Sequence, residues 1–226
     1  LSDLSGSPDE KPPFEFMMDE FLALDKPLLA AATGAAIGFG ATALFHCDVV
    51  YVGESKDYVV KTDVSGLEVS SANFAEGADW LLNIERLQFK DKSLAFDLDG
   101  HAGTAAKTLG LVFGLSSVYL PNYVGICLDL LDNKAYTPEQ LMQAALNVRL
   151  GADALDPGKV VDFLYFQLTG GGLPSPSDKA AYVDLILNKT YSIEGLAVAA
   201  AELPLNPIEP SLMGLATSGL PFILPS

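Results

Sequence analysis

Histidine is nearly missing from this chain: among 226 residues only His46 and His101 occur. Any Ser-His-Asp or Cys-His catalytic set must use one of those two. His46-Cys47-Asp48 supplies suitable residue types, but adjacent side chains on a strand point to opposite faces and cooperate poorly. The reading is therefore of a protein that is not an enzyme. Cysteine is equally scarce, with Cys47 and Cys127 far apart and no CxxC spacing, which excludes the usual zinc patterns. Cys127 lies in the apolar run Val124-Gly125-Ile126-Cys127-Leu128. It reads as a buried free thiol or, more sharply, as half of a Cys47–Cys127 disulfide, which would add about 4 kcal/mol by closing a long loop. Positive charge is short as well: 13 Lys and Arg face 29 Asp and Glu, for a net charge of −16. That balance excludes nucleic-acid binding through the phosphates. The first 26 residues hold seven acids against two lysines, with no basic stretch leading into an apolar one. No signal peptide is read there, so a leader has been removed or export uses a C-terminal signal, and Leu1 is not a natural start.

Hydrophobic side chains, by contrast, are plentiful at 50% of the chain. A soluble monomer of this size buries a good core but rarely carries this much apolar residue, so part of the surface is expected against another chain or a membrane. Phe14 to Leu22, following Pro12-Pro13, has the spacing of a short amphipathic helix. Residues 27–45 run without one charge, and Gly34 and Gly38 give a GxxxG spacing. The length just reaches that of a membrane span. Ala and Gly dominate it, however, and no basic cluster flanks it, so close-packed backbone within protein is the first reading and a membrane anchor the second.

Asp48–Val52, Tyr58–Thr62 and Leu67–Ser70 are short runs rich in β-branched residues, punctuated by Gly53 and Ser65-Gly66. They predict strands, and Trp80 to Phe89 followed by Ser93–Asp97 predicts one or two further strands. From residue 101 the period becomes helical, and the sequence repeats. Residues 133–145, from Asn133-Lys134-Ala135-Tyr136-Thr137, recur 55 positions later from Asn188-Lys189-Thr190-Tyr191-Ser192, with seven of thirteen positions identical. Pro121 pairs with Pro176, and residues 128–131 with 183–186. Thr137 and Ser192 are expected to cap the second helix of each copy. This predicts a duplicated helix–turn–helix whose copies pack on each other. Gly170-Gly171-Gly172 has no Lys-Ser/Thr after it and reads as a loop.

The expectation is thus an α+β protein with an acidic and then apolar segment over 1–47, a β region over 48–100, a duplicated helical module over 101–202 and an apolar tail over 203–226. Prolines 204, 207, 210, 221 and 225 argue against a continuous helix or a central strand in that tail. Both ends read as extended arms. Ile37, Phe39 and Phe45 in the first, and Leu220, Phe222 and Ile223 in the second, are the expected assembly contacts.

Asn83-Ile84-Glu85-Arg86-Leu87-Gln88-Phe89, followed through Asp97-Leu98-Asp99-Gly100 to Gly103, resembles a hallmark of RTX-type exported bacterial proteins. The preceding Asp48-Val49-Val50-Tyr51-Val52-Gly53 and Asp57-Tyr58-Val59-Val60 are similar to the stretch that leads into it. The helical part resembles a duplicated domain of unknown function found in S-layer-like, adhesin-like and haemolysin-type calcium-binding proteins, itself similar to the phycobilisome linker domain. The likeness spans about residues 48–202. It implies export and surface association, and no reaction. Where relatives carry Gly- and Asp-rich calcium-binding repeats, Thr33 to Ala41 keeps glycines without aspartates, and His101 replaces the usual Asn.

Asp97 and Asp99 are the candidate metal ligands, resembling part of a calcium loop but without its complete set of acids; the plainer alternative is a turn into the first helix. The expected role is a structural subunit of an extracellular or cell-surface assembly, such as a surface layer, filament or matrix, forming a homo-oligomer or polymer. The alternatives are an accessory subunit of a membrane complex anchored by residues 27–45, or a calcium- or glycan-binding module.

Overall fold

The computed structural model describes residues 29–31, 49–51, 53–63, 66–72, 78–81 and 84–225. The chain forms two compact units, residues 1–91 and 92–226, in an α+β arrangement.

The first unit contains two sets of strands. β1 (Leu29–Ala31), β2 (Val49–Tyr51) and a later strand, β6 (Arg86–Gln88), lie parallel, with β2 between the other two. β3 (Tyr58–Asp63), β4 (Gly66–Ser71) and β5 (Ala78–Leu81) form an antiparallel meander. The alternation in β4 points Leu67 and Val69 inward. Lys61 and Glu68 stand directly opposite each other and form a salt bridge of 3.6 Å. The Asp91 carboxylate receives hydrogen bonds from the Ser55 backbone N–H and hydroxyl, both at 2.7 Å, and so fastens the end of this unit.

The second unit begins at Lys92, earlier than the change of period at residue 101 suggests. Its first element, β7 (Ser93–Ala95), pairs antiparallel with β8 (Leu220–Phe222) near the end of the chain. Between them run α1 (His101–Phe113), α2 (Leu115–Val118), α3 (Pro121–Leu128), α4 (Pro138–Leu150), α5 (Pro157–Thr169), α6 (Pro176–Leu187), α7 (Ile193–Ala201) and α8 (Glu209–Ser218).

Local chemistry fixes these helices. The Thr137 hydroxyl accepts a hydrogen bond from the Gln140 backbone N–H while the Gln140 side-chain oxygen accepts one from the Thr137 backbone N–H, a complete capping box at the start of α4. Ser192 caps α7 through the Gly195 N–H, Asp156 caps α5, and Ser175 caps α6. Proline occupies the first turn of α3, α4, α5 and α6, where no N–H is needed. Gly170 ends α5 in the left-handed conformation at φ 68°.

The duplication is present in space and is longer than its sequence signature. The helix pair α3–α4 corresponds to α6–α7, and α1 also corresponds to α5 at the same 55-residue spacing. Each copy is therefore three helices. Like elements meet like: α4 packs on α7 and α1 on α5. The core between the copies includes Leu111, Val112, Met142, Leu146, Val160, Leu164 and Ala197.

A second core lies on the other side of the first copy, and the C-terminal tail completes it. Ile208, Leu215, Leu220 and Phe222 join residues of α1 and α3 there. The tail is therefore not an extended arm, which corrects the expectation drawn from its prolines. Pro210 sits in the first turn of α8, where proline is compatible with a helix, and Pro221 sits in the short strand β8. Asn206, 1% exposed, fastens the turn before α8: its amide donates to the Lys107 and Ala201 carbonyls at 3.1 and 2.8 Å. The tail approaches α3 at Gly125, where a Cβ would come within 1.8 Å of the Ile223 carbonyl oxygen. The matching position on α6 is Ala180, whose methyl forbids the same approach.

Candidate functional site

Each three-helix copy carries an apolar groove, and the two grooves are built from matching positions. In the first copy α1 supplies Leu109 and Phe113; 55 residues later α5 supplies Leu164 and Leu168. The second wall is Leu141, Ala144, Ala145 and Val148 of α4, matched by Leu196, Ala199, Ala200 and Leu203 at and just beyond α7. The alanines are what make these surfaces concave, because short side chains between leucines leave the helix backbone recessed.

The grooves differ at several positions: Phe113 is matched by Leu168 and Val148 by Leu203, Tyr123 and Ile126 line the first alone, and Val161 and Tyr165 line the second alone. Cys127 of α3 lines the first, and Tyr182 of α6 lines the second. The first groove encloses about 290 Å³ and the second about 190 Å³. Tyr123, Ile126 and Val148 rim the first, each roughly half exposed or more, with Val148 at 78%. Such a surface can receive an apolar group; it has almost nothing with which to orient a polar substrate or move a proton.

Cys127 is a free, buried thiol. The Cys47–Cys127 disulfide expected as the sharper alternative is therefore not formed, and Cys47 itself lies outside the described residues. Burial pushes the Cys127 thiol up from 9.0 to about 12, because the thiolate would lose its hydration. It is not a nucleophile at neutral pH. The neutral thiol is favoured in the folded state, so its contribution to stability is full below about pH 9 and is lost progressively as pH rises toward 12. We expect wild type to lose up to about 1.4 kcal/mol per pH unit in that window relative to Cys127→Val, measured by urea unfolding at pH 8 and pH 10. Parallel losses in the two proteins would contradict the burial of this thiol.

Asp97 Oδ2 accepts from the Ala102 N–H at 3.1 Å, and its carbonyl accepts from Gly100 and Gly103. It thus organises the first turn of α1, where a Cβ on Gly103 would lie 1.8 Å from the Leu98 carbonyl oxygen. Asp99 is exposed. Among the described residues no group of three or more His, Cys, Asp or Glu is placed to hold a metal ion. His101 Nδ1 pairs with Asp132 Oδ1 at 2.5 Å. Leu220 and Phe222, expected as assembly contacts, are buried within their own unit, which corrects that assignment; Ile223 remains 48% exposed. Ile37, Phe39, Phe45 and His46 lie outside the described residues. Among the described residues no helix is long and apolar enough to cross a membrane.

In the sequence the nearly uncharged stretches 27–45 and 203–226 stand out as apolar, whereas the grooves do not. The available signal was the repeat, since Leu141, Ala144 and Ala145 recur as Leu196, Ala199 and Ala200. No family model matches this chain, and no curated protein or solved structure matches it either.

Proposed function

We propose that the protein is a structural subunit of an extracellular or cell-surface assembly, associating with further copies of itself through the apolar face of its helical unit. The observation that carries this reading is the first groove: a concave apolar surface bordered by Tyr123, Ile126 and Val148, all exposed. Exposed apolar surface of this kind on a helical unit is costly unless another chain covers it. The tail no longer supports the reading through Leu220 and Phe222, whose burial is already complete. The placement outside the cell rests on the resemblance of residues 83–103 to RTX-type exported proteins.

The test is sedimentation velocity of the full chain over a range of concentrations, beside a variant with Ile126→Lys and Val148→Lys. The expected result is concentration-dependent association in wild type and a monomer in the variant, with unchanged circular dichroism. Wild type and variant sedimenting alike would overturn the role of this face.

A further inference from the structure

We infer that the crevice where α4 meets the start of α7 is a binding site for an uncharged sugar. It lies beside the first apolar groove, and Ala144 lines both, but its chemistry is different. Tyr136 just before α4, Glu139, Gln140, Gln143 and Asn147 on α4, and Glu194 on α7 line a hollow of about 410 Å³. That volume is larger than either apolar groove and falls in the range of small-molecule sites. Gln143 and Glu194 are half-buried, while the other four stand exposed around them. Spacings of three and four residues place Gln140, Gln143 and Asn147 on one stripe of α4.

Hydrogen-bonding capacity selects the ligand. Gln140 Oε1 accepts from the Thr137 N–H at 2.9 Å, which leaves the Gln140 NH2 group as a donor. Gln143 Nε2 donates to Asn147 Oδ1 at 2.9 Å, which leaves the Asn147 NH2 group as a second donor and Gln143 Oε1 as an acceptor. The Glu139 and Glu194 carboxylates, which form no ion pair with the described residues, add further acceptors. Sugar hydroxyls donate and accept at once, so a sugar can use both sets, and the C–H face of its ring can leave water against Tyr136. Among the described residues no lysine or arginine lines the hollow, so an anion finds no counter-charge there. A metal ion or an ammonium group would set the two NH2 donors against a positive charge. The duplication shows that the three amides are not needed to build the helix. Tyr136 and Glu139 recur as Tyr191 and Glu194, but Gln140, Gln143 and Asn147 are matched by Gly195, Val198 and Glu202. α7 forms with those residues and is capped by Ser192 without a glutamine.

The site is tested on the full chain by saturation-transfer NMR, titrating the methyl glycosides of glucose, galactose, mannose and N-acetylglucosamine, with putrescine as a cationic probe. At least one glycoside should receive saturation from wild type. Its Kd should rise about tenfold or more in Gln143→Val with Asn147→Glu, which carries the second copy's residues at both positions. Gln143→Ala with Asn147→Ala removes the same two amides without adding charge and should weaken binding as much, with circular dichroism confirming that each variant is folded. Saturation of none of the four glycosides, equal binding by the folded variants, or binding of putrescine alone would each overturn the inference. The self-association reading is decided separately, by sedimentation, and its failure would leave this result standing.

Discussion

Removal of residues 205–226 is expected to unfold the helical unit instead of releasing a folded monomer. Ile208 and Leu220 are fully buried, and Leu215 and Phe222 nearly so, all in the core that covers α1 and α3. Losing one such side chain costs roughly 2–5 kcal/mol. Losing all four, together with the Asn206 hydrogen bonds, comes to on the order of 10 kcal/mol, comparable with the whole stability of a domain. Val124 and Leu128, both at 0% exposure, would also be uncovered. Circular dichroism with urea titration decides the matter. A truncated chain that unfolds cooperatively near the wild-type midpoint would show that the tail is a dispensable arm.

The second large effect runs against helix propensity. Glycine to alanine within a helix ordinarily stabilises by up to about 1 kcal/mol. Gly125→Ala should instead destabilise by about 3 kcal/mol, because the new Cβ meets the Ile223 carbonyl oxygen at 1.8 Å and backbone faces backbone there. Gly103→Ala should behave likewise against Leu98. Gly214 in α8 provides the control, since a Cβ there meets nothing within 4 Å, and its replacement by alanine should be neutral or stabilising. If Gly125→Ala and Gly103→Ala proved neutral or stabilising, as expected of the Gly214 control, tail docking at Gly125 and turn closure at Gly103 would both be contradicted.

Several features were legible in the sequence because they are local. The strands over residues 49–95 follow from β-branched runs and turn residues, and the caps at Thr137 and Ser192 follow from residue type and spacing. The duplication was legible only over its second and third helices. The pair α1 and α5 kept only two identities, Leu109 with Leu164 and Gly103 with Gly158, because a buried stripe constrains polarity and size more than identity. The tail misled for a physical reason. Proline excludes helix interiors but not first turns or short edge strands, and composition alone does not say which of these Pro210 and Pro221 occupy. The grooves could not be read directly, since concavity arises where three helices meet. Even so, the contrast of Cys127 with Tyr182 was visible in the aligned repeats and becomes meaningful once both are seen to line matching walls.

Self-association through the helical unit is the central claim, and sedimentation velocity on the full chain tests it most directly. The protein should sediment as a concentration-dependent oligomer that Ile126→Lys together with Val148→Lys shifts toward monomer while its thermal unfolding stays cooperative. A single monomeric species at every concentration, with the same cooperative unfolding, would contradict the account.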